Sequence, residues 1–289
     1  MVETMPVQVG RDRLRGEVLY ALGRLGEAEA ALGSAVAEDA KDLLAVQLRG
    51  LVLFRMGRPG EAIPLLEKAH VWTPETRTDP AYVLALCYVD THRYDDARRA
   101  FAEQFGFTPD GAPAHLLAAR MLLRREYVPV AQEEAHKALA LDAGLPLAHR
   151  LLGEIALFGN HLEEAAAEFE TERKRNPLDG STYDRLGDVY ARSGDYVKAQ
   201  QMLERALLLE PTATGPYILL GKVLVKRGDP ASAVGYLQRA ETMDPANSMT
   251  HSLLVQAYRS MGRVEEAGRE AELVRKLQAD TEPKLQPLR

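Results

Sequence analysis

The stretch that decides the fold covers residues 180–213 and reads GSTYDRLGDVYARSGDYVKAQQMLERALLLEPTA. Apolar residues recur at helical spacing on both sides of Gly194, which stands where a capping glycine would end a first helix. Pro211 closes the stretch, because proline stops a helix from continuing. The small residues Gly187 and Ala199 allow two helices to cross closely. The stretch therefore predicts a helical hairpin.

The same pattern recurs along the chain with a period of 34 residues. Prolines at 74, 109, 177, 211 and 245 are separated by 35, 68, 34 and 34 residues. The period divides the chain into eight repeats, numbered 1 to 8 in chain order: 9–42, 43–76, 78–111, 112–145, 146–179, 180–213, 214–247 and 248–281. Self-similarity at a period of this length is the signature of stacked repeats.

Particular positions of the repeat require particular side-chain sizes. Position 20 is alanine in all eight repeats, and position 8 is glycine or alanine in every repeat except the last, which has Val255. Position 15, where a first helix must end, is glycine in five repeats: Gly23, Gly57, Gly194, Gly228 and Gly262. Position 24 is large in most repeats, and we expect it to fill the space that the small residues leave: Leu32, Leu66, Phe101, Phe169, Leu203 and Leu237.

This spacing resembles the tetratricopeptide repeat (TPR), whose pattern has Leu at position 7, Gly at 8, Tyr at 11, Ala at 20, Phe at 24, Ala at 27 and Pro at 32. Repeat 6 matches best, with Leu186, Gly187, Tyr190, Ala199, Leu203, Ala206 and Pro211. The resemblance implies an all-α fold, a superhelical TPR solenoid of antiparallel helix pairs. We expect one solenoid domain over 9–281, an N-terminal extension over 1–8 and a mobile tail over 282–289. The pattern is broken at Arg15, Arg49 and Glu172, among other positions.

Composition and sequence patterns limit the classes of partner and the compartments that we expect for this chain. The net charge of −6 weighs against nucleic acid, which requires a basic surface. No apolar stretch approaches the length of a membrane span, so we expect no direct membrane insertion. The only cysteine, Cys87, lies in an apolar run and is expected to be buried. Since no signal peptide is visible, the default expectation is a cytoplasmic protein, or an exported one if a leader was removed.

The sequence predicts no catalytic residues, no cofactor and no metal site. His115, His149 and His251 all fall at position 4, where a large aromatic residue is usual, and we expect them to fill packing slots rather than to bind a metal. Three acidic pairs are expected on solvated helix faces rather than in acid–base catalysis: Glu133-Glu134, Glu163-Glu164 and Glu265-Glu266.

The resemblance also implies a binding groove, because the first helices of TPR arrays line the concave face and positions 2, 5, 9 and 12 commonly meet the ligand. The predicted groove is formed by Leu51, Phe54, Tyr82, Leu86, Val89, Leu116, Arg120, Leu123, Arg150 and Glu154. Repeats 6 to 8 add a mixed, charged part with Asp184, Asp188, Lys222, Gln256 and Arg259. Apolar grooves fit an extended or helical segment of a partner. The alternative is that Leu51, Leu86 and Leu116 only pack between hairpins.

The resulting prediction is a non-catalytic interaction scaffold that binds a peptide or helix of a partner protein in this groove. One alternative is a regulatory or targeting arm of a larger multidomain protein. Another is a self-assembling scaffold, in which Leu285 and Leu288 of one chain enter the groove of its neighbour. Two specialised TPR sites are not predicted. Position 6 has none of the asparagines of the sugar-transferase ladder, and no three consecutive repeats supply the carboxylate clamp of chaperone-binding members.

Overall fold

The computed structural model describes residues 10–70 and 80–281, and these residues form sixteen α-helices. They are α1 (Arg11–Ala21), α2 (Leu25–Glu38), α3 (Leu43–Arg55), α4 (Pro59–His70), α5 (Pro80–Asp90), α6 (Tyr94–Phe105), α7 (Ala112–Arg124), α8 (Val128–Leu141), α9 (Ala148–Phe158), α10 (Leu162–Arg175), α11 (Gly180–Arg192), α12 (Tyr196–Leu209), α13 (Thr214–Arg227), α14 (Pro230–Met243), α15 (Ser248–Ser260) and α16 (Val264–Thr281). The predicted extension over 1–8, Pro74 and the predicted tail over 282–289 lie outside the described residues.

Each repeat contributes one hairpin, in which an odd-numbered helix packs against the even-numbered helix that follows it. The predicted all-α fold is confirmed. The chain divides into two compact units, an N-terminal unit over Met1–Leu145 and a C-terminal unit over Pro146–Arg289. Within each unit, odd-numbered helices also contact odd-numbered helices of adjacent hairpins, as α3 contacts α5 and α11 contacts α13. The single solenoid domain over 9–281 stays a prediction.

The close crossing within each hairpin has the predicted cause. A Cβ atom built on Gly187 would lie 2.5 Å from Leu203 Cγ, and one built on Gly221 would lie 2.5 Å from the side chain of Leu237. Real Cβ atoms do not come so close, so position 8 is small because position 24 fills its space. Repeat 8 reverses the sizes, with Val255 at position 8 and Ala271 at position 24. The alanines at position 20 are at most 3% exposed.

The turn inside each hairpin repeats one backbone conformation. All five predicted capping glycines have positive φ, from 72° to 83°. The three repeats without glycine at position 15 adopt the same left-handed conformation with His92 (φ 61°), Glu126 (φ 63°) and Asn160 (φ 61°). Left-handed backbone is costly for residues with a Cβ atom. The turn geometry is therefore set by the hairpin, and glycine is the residue that adopts it with least strain.

Cys87 is fully buried, as predicted, and burial raises the pKa of its thiol to about 12, so the thiolate nucleophile does not form near neutral pH.

The prediction of three solvated acidic pairs was wrong for Glu134, which is 5% exposed. Its carboxylate lies 2.7 Å from Nδ1 of His115 and 3.6 Å from the buried guanidinium of Arg98. Glu134 is therefore a structural partner of His115 and Arg98 and connects three helices.

Candidate partner-binding site

The first-helix face of the N-terminal unit is less open than predicted. Leu51 and Val89 are 4% and 0% exposed, so the structure corrects their assignment to a ligand surface and favours packing between hairpins for these two. The other predicted residues of this unit are half-buried: Phe54, Tyr82, Leu86, Leu116, Arg120 and Leu123. We call Phe54, Leu86, Leu116, Arg120 and Leu123 the N-terminal face.

Contacts inside the protein occupy part of this surface. The Tyr82 ring lies 5.8 Å from the Phe101 ring, and its hydroxyl lies 3.7 Å from Met121 Sδ. The guanidinium of Arg125 lies 6.0 Å from the centre of the Phe54 ring and forms a 2.9 Å ion pair with Asp90. Tyr82 therefore supports the hairpins, and Phe54 is covered on one side by a paired cation.

Arg150, predicted at the edge of the groove, is held within the C-terminal unit. Its guanidinium lies 3.2 Å from an oxygen of Asp179 and bonds Ser181, while Glu154 is 3.8 Å away. Its side chain is only 14% exposed. Arg13 forms the equivalent pair with Asp42 in repeat 1, again 29 residues further along the chain. Arg150 thus links successive hairpins and is not free to meet a ligand.

The C-terminal unit has a pocket of about 160 Å³ between the predicted groove sides of α11 and α13. Ala191, Leu219 and Val223 line part of it, together with Tyr196. Its charged residues are Asp188 and Arg192 from α11, and Lys222 and Lys226 from α13. Positions 9 and 13 of successive repeats supply these four charges. The pocket thus combines three cations with one carboxylate.

The two lysines of this pocket have no partner among the described residues. Both are exposed, and within residues 10–70 and 80–281 neither forms a hydrogen bond or ion pair. They stand four residues apart on one helix, where like charges repel. Arg192, by contrast, donates a 2.6 Å hydrogen bond to Asn160 and lies 3.9 Å from Asp188. An anion bound at the lysines would relieve their repulsion.

One turn before Asp188, Asp184 is also without a hydrogen-bond or ion-pair partner among the described residues. Burial raises the pKa of its carboxyl above the ordinary value. We call the surface formed by Asp184, Asp188, Arg192, Lys222 and Lys226 the C-terminal face. Among the described residues, its charges without a partner are negative on α11, at Asp184, and positive on α13, at Lys222 and Lys226.

The sequence predicted Asp184, Asp188 and Lys222 on this face and missed Arg192, Lys226 and Tyr196. The missed cations stand at position 13, one turn after position 9 on the same side of the helix. The prediction used only positions 2, 5, 9 and 12 of each repeat. Extending the helical spacing by one turn would have found both Arg192 and Lys226.

Sequence comparisons point to one family at both ends of the chain. A family model described as tetratricopeptide repeat matches residues 190–240 and 224–289. A second, described as anaphase-promoting complex, cyclosome, subunit 3, matches residues 23–104. Superkiller protein 3 of Schizosaccharomyces pombe is 35% identical over 63 residues, which cover 22% of this chain and 4% of that relative's length.

Solved structures with the same fold include TPR proteins. YrrB, described as a TPR protein with an unusual peptide-binding site, is 21% identical with a TM-score of 0.55, covering 64% of this chain and 95% of its own. MamA is 17% identical with a TM-score of 0.55, covering 62% and 100%. The APC/C hetero-tetramer Cut9–Hcn1 is 17% identical with a TM-score of 0.52, covering 89% of this chain and 50% of its own.

Among the helices that the structure describes, none is both long and apolar enough to cross a bilayer. The chain is a tetratricopeptide-repeat protein.

Proposed function

We propose that this chain holds a partner protein by an acidic segment that binds the C-terminal face. TPR arrays are protein-interaction scaffolds, so the chain belongs to that functional class. The observation that carries the finer proposal is the pair Lys222 and Lys226, which have no partner within residues 10–70 and 80–281 and line a pocket with an apolar wall. Side chains of aspartate and glutamate match the lysines, and an apolar side chain between them matches the wall.

The charge distribution also gives the bound segment a direction. Lys222 and Lys226 lie on α13, whereas the unpartnered carboxylate of Asp184 lies on the neighbouring α11. A segment whose acidic residues pair with the lysines places its adjoining residues toward Asp184. A basic residue there would compensate a carboxylate that burial already disfavours in its charged form. Such complementarity contributes to specificity and to the rate of association.

The N-terminal face is proposed as a second, apolar contact surface. Its half-buried leucines, Leu86, Leu116 and Leu123, surround Arg120, which forms no ion pair in the described part of the chain. Partly exposed leucines next to a free arginine fit a segment with apolar anchors and a carboxylate. The regulatory arm of a larger protein and the self-assembling scaffold stay alternatives to a separate partner.

Co-isolation from a lysate of the source cells tests the proposal. The bait proteins are the wild type, a Lys222→Glu/Lys226→Glu variant and a Lys174→Glu/Lys276→Glu control. The control replaces two exposed lysines outside the pocket and changes the net charge equally. We expect the wild type and the control to capture the same partner and the pocket variant to lose it. Equal capture by all three would contradict the proposed site.

A fourth bait, Leu86→Glu/Leu123→Glu, separates the two faces. Loss of the partner with this variant alone would move the binding site to the N-terminal face. Loss with both variants would mean that both faces take part. Thermal melts of every bait come first, so that lost binding is not confused with lost folding. If the wild type captures only its own chain, self-assembly replaces the proposed function.

A further inference from the structure

Three histidines at position 4 form the same contact in three different repeats. In each, Nδ1 of the ring lies 2.7 Å from a glutamate oxygen on the second helix of the hairpin, 19 residues further along the chain. The pairs are His115–Glu134, His149–Glu168 and His251–Glu270. The histidine therefore fills its packing slot, as predicted, and also pairs with a carboxylate that the sequence prediction left out.

The third pair has an additional carboxylate. One oxygen of Glu241 on α14, one ring nitrogen of His251 on α15 and one oxygen of Glu270 on α16 all lie within 4.8 Å of one another. Glu241 forms no hydrogen bond or ion pair with any other described residue. In the first pair the carboxylate is already compensated, because Glu134 also lies 3.0 Å from Lys137 and 3.6 Å from Arg98. The third site lacks such a cation.

The ring of His251 is held in one orientation. Its Nε2 lies 2.9 Å from the carbonyl oxygen of Pro245, which can only accept, so Nε2 carries a proton. The ring is 2% exposed and cannot turn freely. Nδ1 is therefore the nitrogen whose lone pair is left for a metal, on the side of Glu270. Metal-binding histidines commonly donate their second ring N–H to a backbone carbonyl in this way, which fixes the ligating nitrogen.

The charges favour a divalent cation over a proton at this place. A proton on Nδ1 compensates one of the two carboxylates, whereas a divalent ion beside a neutral imidazole compensates both. We propose that Glu241, His251 and Glu270 bind a divalent first-row transition metal ion through two carboxylate oxygens and Nδ1. One nitrogen and two oxygens suit Zn²⁺, which commonly takes three protein ligands and leaves the fourth position to water.

Only a small movement would complete the site. Two ligand atoms on one tetrahedral Zn²⁺ lie about 3.4 Å apart, given bonds of about 2.1 Å. The present separations run from 2.7 Å, between His251 Nδ1 and Glu270, to at most 4.8 Å, so Glu270 would move slightly away from the ring and the half-buried Glu241 side chain would approach. The three ligands come from three successive helices, so the ion would cross-link α14, α15 and α16. Metal binding would stabilise the folded C-terminal unit.

The metal competes with a proton for Nδ1. Burial lowers the pKa of His251, but its hydrogen bonds to Pro245 and Glu270 and the nearby charge of Glu241 raise the pKa above its ordinary value overall. Glu241 and Glu270 are the ionisable groups that face the ring from α14 and α16. Since the metal takes the Nδ1 lone pair, binding releases a proton only where His251 is protonated, below its pKa. Below the pKa of His251, affinity falls about tenfold for each pH unit.

Titration calorimetry of the full chain with Zn²⁺, in two buffers of different ionisation enthalpy, tests the proposal. We expect one site, with proton release only at pH values below the pKa of His251. Glu241→Gln removes the third ligand and leaves the His251–Glu270 pair in place, so the affinity should fall at least tenfold. Glu168→Gln, at the sister pair with His149, is the matched control and should leave the affinity unchanged. Zn²⁺ should raise the Tm of the wild type and of this control, but not that of Glu241→Gln.

Cobalt absorption provides a readout that needs no variant. Co²⁺ in a low-symmetry site of three protein ligands gives visible d–d bands stronger than those of the hydrated ion, and Zn²⁺ should abolish them. Wild-type chain without such bands at saturating Co²⁺ overturns the proposal, as does equal Zn²⁺ affinity in the wild type and Glu241→Gln.

Discussion

The two compact units are built on the same packing contacts but differ in the face that their first helices present. In the N-terminal unit that face is apolar and partly closed, with Leu51 and Val89 buried and Arg125 paired to Asp90. In the C-terminal unit it is charged and open, with a pocket and two lysines that have no partner in the part of the chain that the structure describes. The contact between positions 8 and 24 is nevertheless the same in both, at Gly50 in one and at Gly221 in the other.

This difference separates two kinds of position in the repeat. Positions 8, 15, 20 and 24 are restricted because backbones approach closely or turn sharply there, whatever the repeat does. Positions 5, 9 and 13 point away from that crossing, so their side chains are free to differ between repeats. The first group determines the fold, and the second group supplies the charged residues of the proposed binding surface.

The largest expected effect comes from the shared packing contact. Leu237→Ala should cost about 2–5 kcal/mol because it leaves a cavity, and Gly221→Val should cost about 1–3 kcal/mol because it overpacks the crossing. The two changes together should cost clearly less than their sum, since repeat 8 already combines Val255 with Ala271. Urea unfolding of the four proteins in a double-mutant cycle measures this coupling.

The same cycle in the N-terminal unit, with Gly50→Val and Leu66→Ala, should give a coupling free energy of the same sign. Additive effects in one unit and coupling in the other would break the comparison, because the two units would then not share one packing contact.

Substitutions at position 15, in the turn of the hairpin, should have effects on stability that are intermediate in size and opposite in sign in the two units. Gly194→Ala should destabilise the chain by about 1–2 kcal/mol, since φ there is 83° and a Cβ atom is strained in left-handed backbone. Glu126→Gly should stabilise it by up to about 1 kcal/mol, because φ at Glu126 is 63°. Thermal melts check both. Destabilisation by Glu126→Gly would show that contacts of this side chain outweigh the backbone strain.

The smallest effects are expected at two aspartates, Asp90 in the N-terminal unit and Asp184 in the C-terminal unit. Burial raises the pKa of both carboxyl groups. Asp90→Asn should change stability less than Asp184→Asn, because the lost ion pair with Arg125 offsets the removal of a buried charge. Asp184→Asn should slightly stabilise the chain at neutral pH. A carboxyl with a raised pKa binds its proton more tightly when folded, so its contribution to stability is lost as the pH rises through that pKa.

Urea unfolding at two pH values tests the sign for Asp184. The gain from Asp184→Asn should vanish at a pH below the ordinary pKa of aspartate, where the carboxyl is protonated in both states. A gain that is equal at both pH values would show that the charge of Asp184 is not the cause.

The sequence predicted the helices, the crossings and five of the turns, because the spacing of small residues and glycines records backbone constraints directly. It could not tell that Leu51 is buried and Leu86 half-exposed, although both stand at position 9. Their burial depends on how neighbouring hairpins pack. The pairing of Glu134 with His115 was detectable, since the same 19-residue spacing occurs three times. The proposed metal site was not, because its ligands come from three helices of two repeats.

The central claim is that the C-terminal face recognises an acidic segment. Selection from a random peptide display library, with the wild type, Lys222→Glu/Lys226→Glu and Lys174→Glu/Lys276→Glu as baits, tests it most directly. We predict that the wild type and the lysine control enrich peptides rich in aspartate and glutamate, and that the pocket variant does not. Acidic peptides enriched equally by the pocket variant, or apolar peptides without acidic residues enriched by the wild type, would contradict the account.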